Sequence, residues 1–314
     1  MEVLRENVAG VDVHKDMLAI TILKGGAKEQ PEAEQFESKT FTADLIKCGQ
    51  KFLEKGVTEV ALESTGVYWK PLHNTWTPMG IKLTVAQAAH VSRVPGRKTD
   101  VSDSYWLATL HRHGLINSSF VPPEEFQRMR LLSRHRTNLT EDLSRIKNRI
   151  QKTLEDGNIK WGSVASDVFG KSGLEILKLL ASGVQDPTRL AEAVVTKIKK
   201  KEDVEKALTN CFTKEHCFLI KELMTQYDHL HEKIRIAEEE LWKLAMPYKD
   251  KIDLLKEIPG INDILAIGIL SEASDKMENF ADERKFAAWA GTAAGNNESG
   301  GKKKDLKQEK ETLT

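Results

Sequence analysis

Short apolar runs separated by polar clusters occupy the first part of the chain and predict β-strands. Residues 8–13 (VAGVDV) and 17–23 (MLAITIL) are two such runs, and their spacing predicts a hairpin. Residues 35–42 alternate between polar and apolar side chains, which predicts a third strand. The apolar runs at residues 57–62 and 81–85 predict two more.

Two stretches between these runs have helical spacing. Residues 43–55 carry apolar side chains at helical intervals and stop at Gly56, and residues 67–77 form a second predicted helix. The resulting order of three strands, a helix, a strand, a helix and a strand is that of an RNase H-like domain, although several other α/β folds begin in the same way. We therefore expect an α/β domain with a mixed sheet over residues 1–121.

The pattern changes at Pro122, where strand signals end and helical periodicity begins. Apolar residues recur at intervals of four and three between Leu139 and Ile150, and again between Leu223 and Leu244. This heptad spacing predicts two long helices in residues 122–248, which form either an antiparallel hairpin or an oligomerising coiled coil. Pro247 is expected to end the second helix.

A small C-terminal helical domain is predicted over residues 249–301. Residues 258–262 (IPGIN) and the apolar stretch after them are typical of the turn and second helix of a helix-hairpin-helix, in which glycine lets the backbone approach a phosphate. An ordinary corner between packed helices would use the same residues, so both interpretations stay open. Ser299 lies in a glycine-rich segment that by itself predicts a flexible turn, and residues 302–314 form a polar tail.

The overall charge is balanced, with 47 basic and 47 acidic residues, so it does not indicate a polyanionic partner. Locally, residues 128–152 carry eight basic and two acidic side chains, a net charge of +6. Such a helix suits either DNA phosphates or a solvated surface. The three cysteines form no zinc pattern, and neither a signal peptide nor an apolar stretch of about 20 residues is found. We therefore expect a cytoplasmic protein with reduced thiols and no membrane contact.

Two acidic residues stand where apolar strands rarely tolerate them. Asp12 lies within the first predicted strand, and Glu63 directly follows the fourth. An unpaired carboxylate is costly to bury, so each needs a compensating partner. If the first and fourth strands are neighbours, the two carboxylates converge, and such an arrangement is stable mainly when a cation lies between them.

Asp100 and Asp103 follow a basic loop and are expected to open a helix that runs to about His113 and stops at Gly114. Their spacing of three places them one turn apart on a single helical face. Acidic residues at a helix start can also simply cap it, so this pair alone does not establish a site. Together, the four acids suit two Mg²⁺ ions about 4 Å apart, which promote phosphodiester chemistry, with Mn²⁺ as a substitute. His14 and His90 are expected at the surface or behind the ligands.

The motifs of the chain, in order, resemble those of a known family. They are GVDVHKD, ALESTGVYW, GRKTDVSDSYWLATLHRHGL, IPGIN, FAAWAG and GNNESGGKKK. This combination resembles the DEDD-type insertion-sequence transposases, whose catalytic domain is similar to that of RuvC resolvases. The implied fold class is α/β plus α: an RNase H-like (RuvC-like) domain, a long coiled-coil region and a small C-terminal helical domain.

The resemblance also implies site residues and partners. Asp12, Glu63, Asp100 and Asp103 would bind metal, and Ser299 would be a nucleophile that becomes joined to a DNA phosphate. The partners would be the DNA of the element ends and the target, a non-coding guide RNA, and further copies of the chain in a dimer or tetramer. Such a protein would associate with the nucleoid.

The last residues depart from the family pattern. Relatives usually continue after the Gly-Gly-Lys segment with a basic loop and a further helix, whereas this chain runs through a polar segment to Thr314. A truncated or frameshifted copy is therefore expected. Two alternatives to a transposase follow: a junction-resolving endonuclease that uses metal-activated water, and a non-catalytic remnant that binds nucleic acid.

Overall fold

The first unit of the protein is a five-stranded sheet with helices on both faces. The structure is a computed structural model that describes residues 2–63, 66–86, 102–116, 118–195, 201–277 and 280–290, together with the strand residues 298–299 and 302–303. Two compact units are present, Met1–Val121 and Pro122–Thr314. Each is described by itself below.

The predicted hairpin is confirmed. Strand β1 (Asn7–Val13) pairs antiparallel with β2 (Met17–Lys24), which in turn pairs antiparallel with β3 (Glu32–Lys39). The prediction of β3 at residues 35–42 was wrong by three residues. The alternation begins earlier, at Glu32, whereas Thr40 leaves the strand and donates a hydrogen bond from Oγ1 to the carbonyl of Lys15 at 2.9 Å.

The remaining strands, β4 (Glu59–Glu63) and β5 (Lys82–Ala86), run parallel to β1. The sheet order is β3-β2-β1-β4-β5, which is the RNase H-like arrangement that the element order predicts. One face is covered by α1 (Thr42–Glu54) and α2 (Trp69–Trp76), and the other by α3 (Asp103–Arg112). The main core lies on the α1 and α2 side.

The second unit is helical over most of its described length. Its helices are α4 (Glu124–Asp156), α5 (Lys171–Ala181), α6 (Pro187–Glu192), α7 (Val204–Leu208), α8 (Lys214–Ala245), α9 (Lys249–Lys256), α10 (Asp263–Ala273) and α11 (Glu283–Trp289). None of the helices in the described ranges is long and apolar enough to cross a membrane.

The two long helices α4 and α8 run antiparallel. Arg136 of α4 contacts Glu238 of α8 at 2.9 Å, and at the other end Asp156 contacts His216 at 2.9 Å. The heptad positions of both helices contribute to buried clusters along this pair. This pairing is the antiparallel-hairpin alternative, while oligomerisation through these helices stays a prediction. Helix α8 ends at Ala245, just before the 3₁₀ turn that contains Pro247, as expected.

A tight turn connects α9 to α10. Gly260 adopts φ +91°, a left-handed conformation that glycine takes without steric cost. The side chain of Asn262 then caps α10 by accepting a hydrogen bond from the Leu265 amide at 2.9 Å. Farther along, Glu298–Ser299 and Lys302–Lys303 pair as two short antiparallel strands, β6 and β7. The paired strands thus extend two residues into the segment expected to be a polar tail.

Candidate active site

Asp12 and Glu63 lie at the ends of two neighbouring parallel strands. β1 and β4 pair in the register that places Val11 beside Leu62, and each acid is the next residue along its strand. Adjacent strands are about 4.8 Å apart. The convergence that the sequence predicted for these two acids therefore follows from the strand register.

Both carboxylates face the α3 side of the sheet. Val11 and Val13 of β1, and Leu62 of β4, belong to the core beneath α1 and α2. Because successive side chains of a strand alternate between faces, Asp12 and Glu63 lie on the opposite face. Both residues are partly buried there, and the side chain of Asp12 is 21% exposed.

The start of α3 lies at the same edge of the sheet. A Cβ atom on Gly10 of β1 would come within 2.2 Å of the Ser104 carbonyl oxygen and 2.3 Å of the Ala108 amide nitrogen. At the other end of α3, Arg112 donates a 2.7 Å hydrogen bond to the carbonyl of Glu6, which precedes β1. The helix therefore runs antiparallel to β1 and brings Asp103 to the end of the strand that carries Asp12.

Asp103 is the first residue of α3, and the cap is supplied by its neighbour. The Oγ of Ser102 accepts a hydrogen bond from the Tyr105 amide at 3.4 Å. Ser102 is thus the N-cap residue of α3, one position before Asp103. The expected end of the helix is confirmed, since Gly114 follows it with φ +68°. Asp100 and His90 lie outside the described residues, and with them the predicted one-turn relation of Asp100 to Asp103.

His14 is the described group that pairs with Asp12. Its Nε2 lies 3.2 Å from Oδ2 of Asp12, and its side chain is 57% exposed. His14 therefore lies at the surface and contacts a predicted metal ligand, as expected. Among the residues that the structure describes, no three His, Cys, Asp or Glu side chains are close enough to hold a metal ion. Asp12, Glu63 and Asp103 share one edge without forming such a group by themselves.

Comparison with known families identifies both ends of the chain. Residues 9–159 match the model of the DEDD domain of IS110 transposases, described as a transposase. Residues 252–311 match a second model, described as the transposase IS116/IS110/IS902 family. The chain belongs to the IS110 family of transposases. It is accordingly an enzyme of the DNA transposase or recombinase class, with DNA as its substrate.

A curated relative extends this similarity along most of the transposase. The transposase for insertion sequence element IS1533 of Leptospira borgpetersenii is 25% identical over 292 residues, which cover 86% of this chain and 70% of the relative. RuvC of Thermus thermophilus, solved alone and in complex with a Holliday junction substrate, aligns at 12% identity. The alignment with RuvC from the complex covers 37% of this chain and all of the RuvC chain, with a TM-score of 0.28.

Ser299 lies within the second matched region of the transposase. Its backbone belongs to β6 and pairs with Lys302 of β7. The residue is therefore part of a short paired strand, whereas its sequence context alone predicted a flexible turn. The sequence between the paired residues is Gly300-Gly301, a dipeptide that favours a two-residue hairpin loop, and this is the local signal that could have indicated the strands.

The basic stretch of the transposase is largely compensated within its own unit. Five of its eight basic residues form ion pairs with acids: Arg128 with Glu124, Arg130 and Arg134 with Glu272, Arg136 with Glu238, and Arg145 with Asp142. Lys147 instead lies over the ring of Phe169, 5.4 Å from its centroid. These contacts favour the solvated-surface interpretation of the basic stretch over a continuous DNA phosphate-binding surface.

Four polar side chains around the start of α3 were not predicted from sequence. Thr21 of β2, Gln35 of β3, and Ser102 and Ser104 at the start of α3 form one hydrogen-bonded group. The signal that was available is Thr21, the one polar residue among the apolar side chains of β2 before Lys24. A threonine is common in strands, so this signal alone does not indicate a tertiary contact.

Proposed function

We propose that this transposase cuts and rejoins DNA strands with a divalent metal ion held by Asp12, Glu63, Asp103 and Asp100. The observation that carries the proposal is the placement of Asp12 and Glu63 side by side on β1 and β4, with Asp103 at the same edge. Carboxylates on adjacent strands can share a divalent cation, which offsets the repulsion between them. The ends of parallel strands are also where open α/β sheets place functional groups.

The donor chemistry fits Mg²⁺, with Mn²⁺ as a substitute. All the ligands are carboxylates, and hard divalent cations prefer oxygen donors and water. Asp100, which the family resemblance assigns to the same set, would be the fourth ligand. When bound, the metal would activate a nucleophile and stabilise the leaving oxygen of an in-line displacement.

The chain's own residues supply the positioning. The backbone pairing of β1 with β4 fixes where the side chains of Asp12 and Glu63 leave the sheet. His14 contacts Oδ2 of Asp12 at 3.2 Å, which favours one orientation of that carboxylate. Asp103 enters from a helix start, where its charge suits the positive end of the helix dipole.

Ser299 is the proposed nucleophile, in keeping with the family resemblance. Its Oγ would form a bond to a DNA phosphorus while the phosphorus–oxygen bond to the neighbouring nucleotide breaks and the released oxygen takes up a proton. Attack by a DNA hydroxyl on the serine–phosphate bond would then rejoin a strand and release the serine. The same resemblance suggests a guide RNA, a dimer or tetramer, and association with the nucleoid, all of which belong to this proposal.

The metal site is tested by titrating Mn²⁺ into the purified full-length protein and following free Mn²⁺ by electron paramagnetic resonance. Asp12→Asn should weaken binding by at least about tenfold, because loss of a direct ligand should cost no less than loss of a residue behind one. Asp16→Asn is the matched control, since Asp16 is an exposed acid in the turn after the same strand. Binding by Asp12→Asn equal to that of the control would refute the site.

The serine step is tested with element-end DNA, Mg²⁺ and the RNA encoded by the same element. Wild-type protein should form a covalent adduct with DNA that survives denaturing electrophoresis, and Ser299→Ala should form none. An adduct that persists in Ser299→Ala would exclude Ser299 as the nucleophile. DNA cleavage without any adduct would instead identify water as the nucleophile, as in the endonuclease alternative.

A further inference from the structure

A cluster of four polar side chains connects the start of α3 to the sheet. Oγ1 of Thr21 and Oγ of Ser104 are 2.9 Å apart, and Nε2 of Gln35 donates hydrogen bonds to Thr21 at 3.2 Å and to Ser102 at 3.0 Å. The two serine hydroxyls are 3.4 Å apart. These residues, Thr21, Gln35, Ser102 and Ser104, are called the hydroxyl cluster below.

The register of the sheet explains why the cluster forms. Gly10 pairs with Thr21, and Thr21 pairs with Gln35, so the three residues form one row across β1, β2 and β3. The row faces α3, because Gly10 contacts the helix backbone directly. Because Gly10 has no side chain, α3 approaches β1 closely enough for the hydroxyl of Thr21 to reach that of Ser104.

The central pair of the cluster is buried. Thr21 is 0% exposed and Ser104 is 3% exposed, so neither hydroxyl can exchange its partner for bulk water. A buried polar group that loses its partner retains its full desolvation cost. The Thr21–Ser104 hydrogen bond therefore favours the one position of the first turn of α3 in which both hydroxyls are paired.

The cluster surrounds Asp103 in the sequence. Ser102 and Ser104 are its immediate neighbours, and both belong to the cluster. On the sheet side, the row through Gly10 lies two residues before Asp12 on β1. The hydroxyl cluster thus connects the turn that carries Asp103 to β2 and β3, and β2 pairs directly with β1, the strand that carries Asp12.

The far end of α3 is held independently. Arg112 is 2% exposed and donates hydrogen bonds to the carbonyls of Glu6, Gly25 and Gly26 at 2.7, 2.8 and 3.0 Å. The backbone of Ser104 also packs on Gly10, so loss of the cluster should shift the first turn of α3 while the helix stays on the sheet. A defect in the cluster and a defect in folding can be distinguished for this reason.

We propose that Thr21 and Gln35 are positioning residues that fix Asp103 relative to Asp12 and thereby set the metal affinity of the transposase. Neither side chain touches the metal; each acts through the serines beside Asp103. The proposal rests on the proposed metal site. It assigns an indirect effect on that site to β2 and β3, which carry none of the acids.

The test compares Mn²⁺ affinity with thermal unfolding in the full-length protein. Thr21→Val keeps the shape of the side chain and removes the hydroxyl. It should weaken Mn²⁺ binding by up to about tenfold, the lower end of the range for residues that bond a metal ligand directly, because Thr21 acts one contact farther away. Thr21→Ser keeps the hydroxyl and should restore binding. Thr109→Val is the matched control, because the Thr109 hydroxyl bonds only within α3, to the carbonyl of Tyr105 at 2.9 Å.

A second variant keeps the proposal testable if Thr21→Val fails to fold. Gln35 is exposed, so Gln35→Ala should fold normally and weaken Mn²⁺ binding by a smaller factor. Wild-type affinity in both Thr21→Val and Gln35→Ala would overturn the positioning role. The role would also be overturned if Thr109→Val weakened Mn²⁺ binding as much as Thr21→Val does at a similar loss of Tm, because the effect would then come from general destabilisation of α3. Failure of Asp12→Asn to reduce binding would instead overturn the metal site, so the two failures are distinguishable.

Discussion

His111 is a buried histidine of α3 whose neutral form the fold requires. The residue is 1% exposed, and its Nε2 has no hydrogen-bond partner in the described part of the protein. Burial lowers the pKa of His111 from 6.5 to about 4, and the positive charge of Arg5 acts in the same direction. Glu59 opposes the shift, but its carboxylate is 3.9 Å away and already accepts a 2.6 Å hydrogen bond from Arg5.

The consequence is a loss of stability in mild acid. Between pH 6.5 and 4 the unfolded chain binds a proton at His111 that the folded protein does not, so the free energy of unfolding falls as the pH falls. The contribution is fully present above pH 6.5 and is exhausted near pH 4. The difference between the two pKa values corresponds to a change of about 3 kcal/mol in the free energy of unfolding, at about 1.4 kcal/mol for each pKa unit.

The assay is urea unfolding of wild type and His111→Leu at pH 7, 6, 5 and 4. Leucine fills a similar volume and leaves no buried nitrogen, so it should remove the contribution of His111 without a large cavity. The stability difference between the two proteins should therefore shift by about 3 kcal/mol in favour of the variant between pH 7 and 4. His229→Leu, at an exposed position of α8, controls for the loss of an imidazole. Parallel pH profiles for wild type and His111→Leu would refute the reasoning.

Two further substitutions test the packing of each unit by urea unfolding. Gly10→Ala should destabilise the first unit by about 2 kcal/mol or more, because its Cβ would overlap the backbone of α3, and an unchanged midpoint would contradict the close approach. Glu272→Gln should destabilise the second unit by about 1–3 kcal/mol, because the partly buried Arg130 and Arg134 would lose their shared carboxylate. The control is Glu232→Gln, which removes an exposed pair with Arg235 and should cost under about 1 kcal/mol. Equal effects of the two Glu→Gln changes would refute the role of Glu272.

The strands of the sheet were predictable because each carries its own signal. The apolar runs of β1 and β2 fix both the hairpin and its register, since a slip by one residue would turn the buried face of each strand toward solvent. β3 has weaker signals: its exposed and partly buried positions alternate without a fully buried residue. Its limits are set by the pairing with β2, which the local pattern does not contain, and the prediction shifted by three residues for that reason.

The site was predictable to the extent that it rests on strand order. Asp12 and Glu63 stand out because acids are costly within apolar strands, and the RNase H-like order makes their strands neighbours. The partners of the basic stretch were not predictable, because Arg130 and Arg134 meet Glu272 about 140 residues later, through a tertiary contact. Charge along a sequence shows where cations are, whereas the fold determines which anions reach them.

The acids of the proposed site differ in how firmly the fold holds them. Asp12 and Glu63 are fixed by the pairing of β1 and β4, whereas Asp103 begins a helix whose first turn depends on a few hydroxyl contacts. In a site made of strand residues alone, the backbone positions of the acids would be the same with and without metal. Placing the third acid on a helix start allows it to adjust to the ion while the strands stay unchanged. The hydroxyl cluster limits this adjustment, and for this reason its loss should change metal affinity before it changes the stability of the sheet.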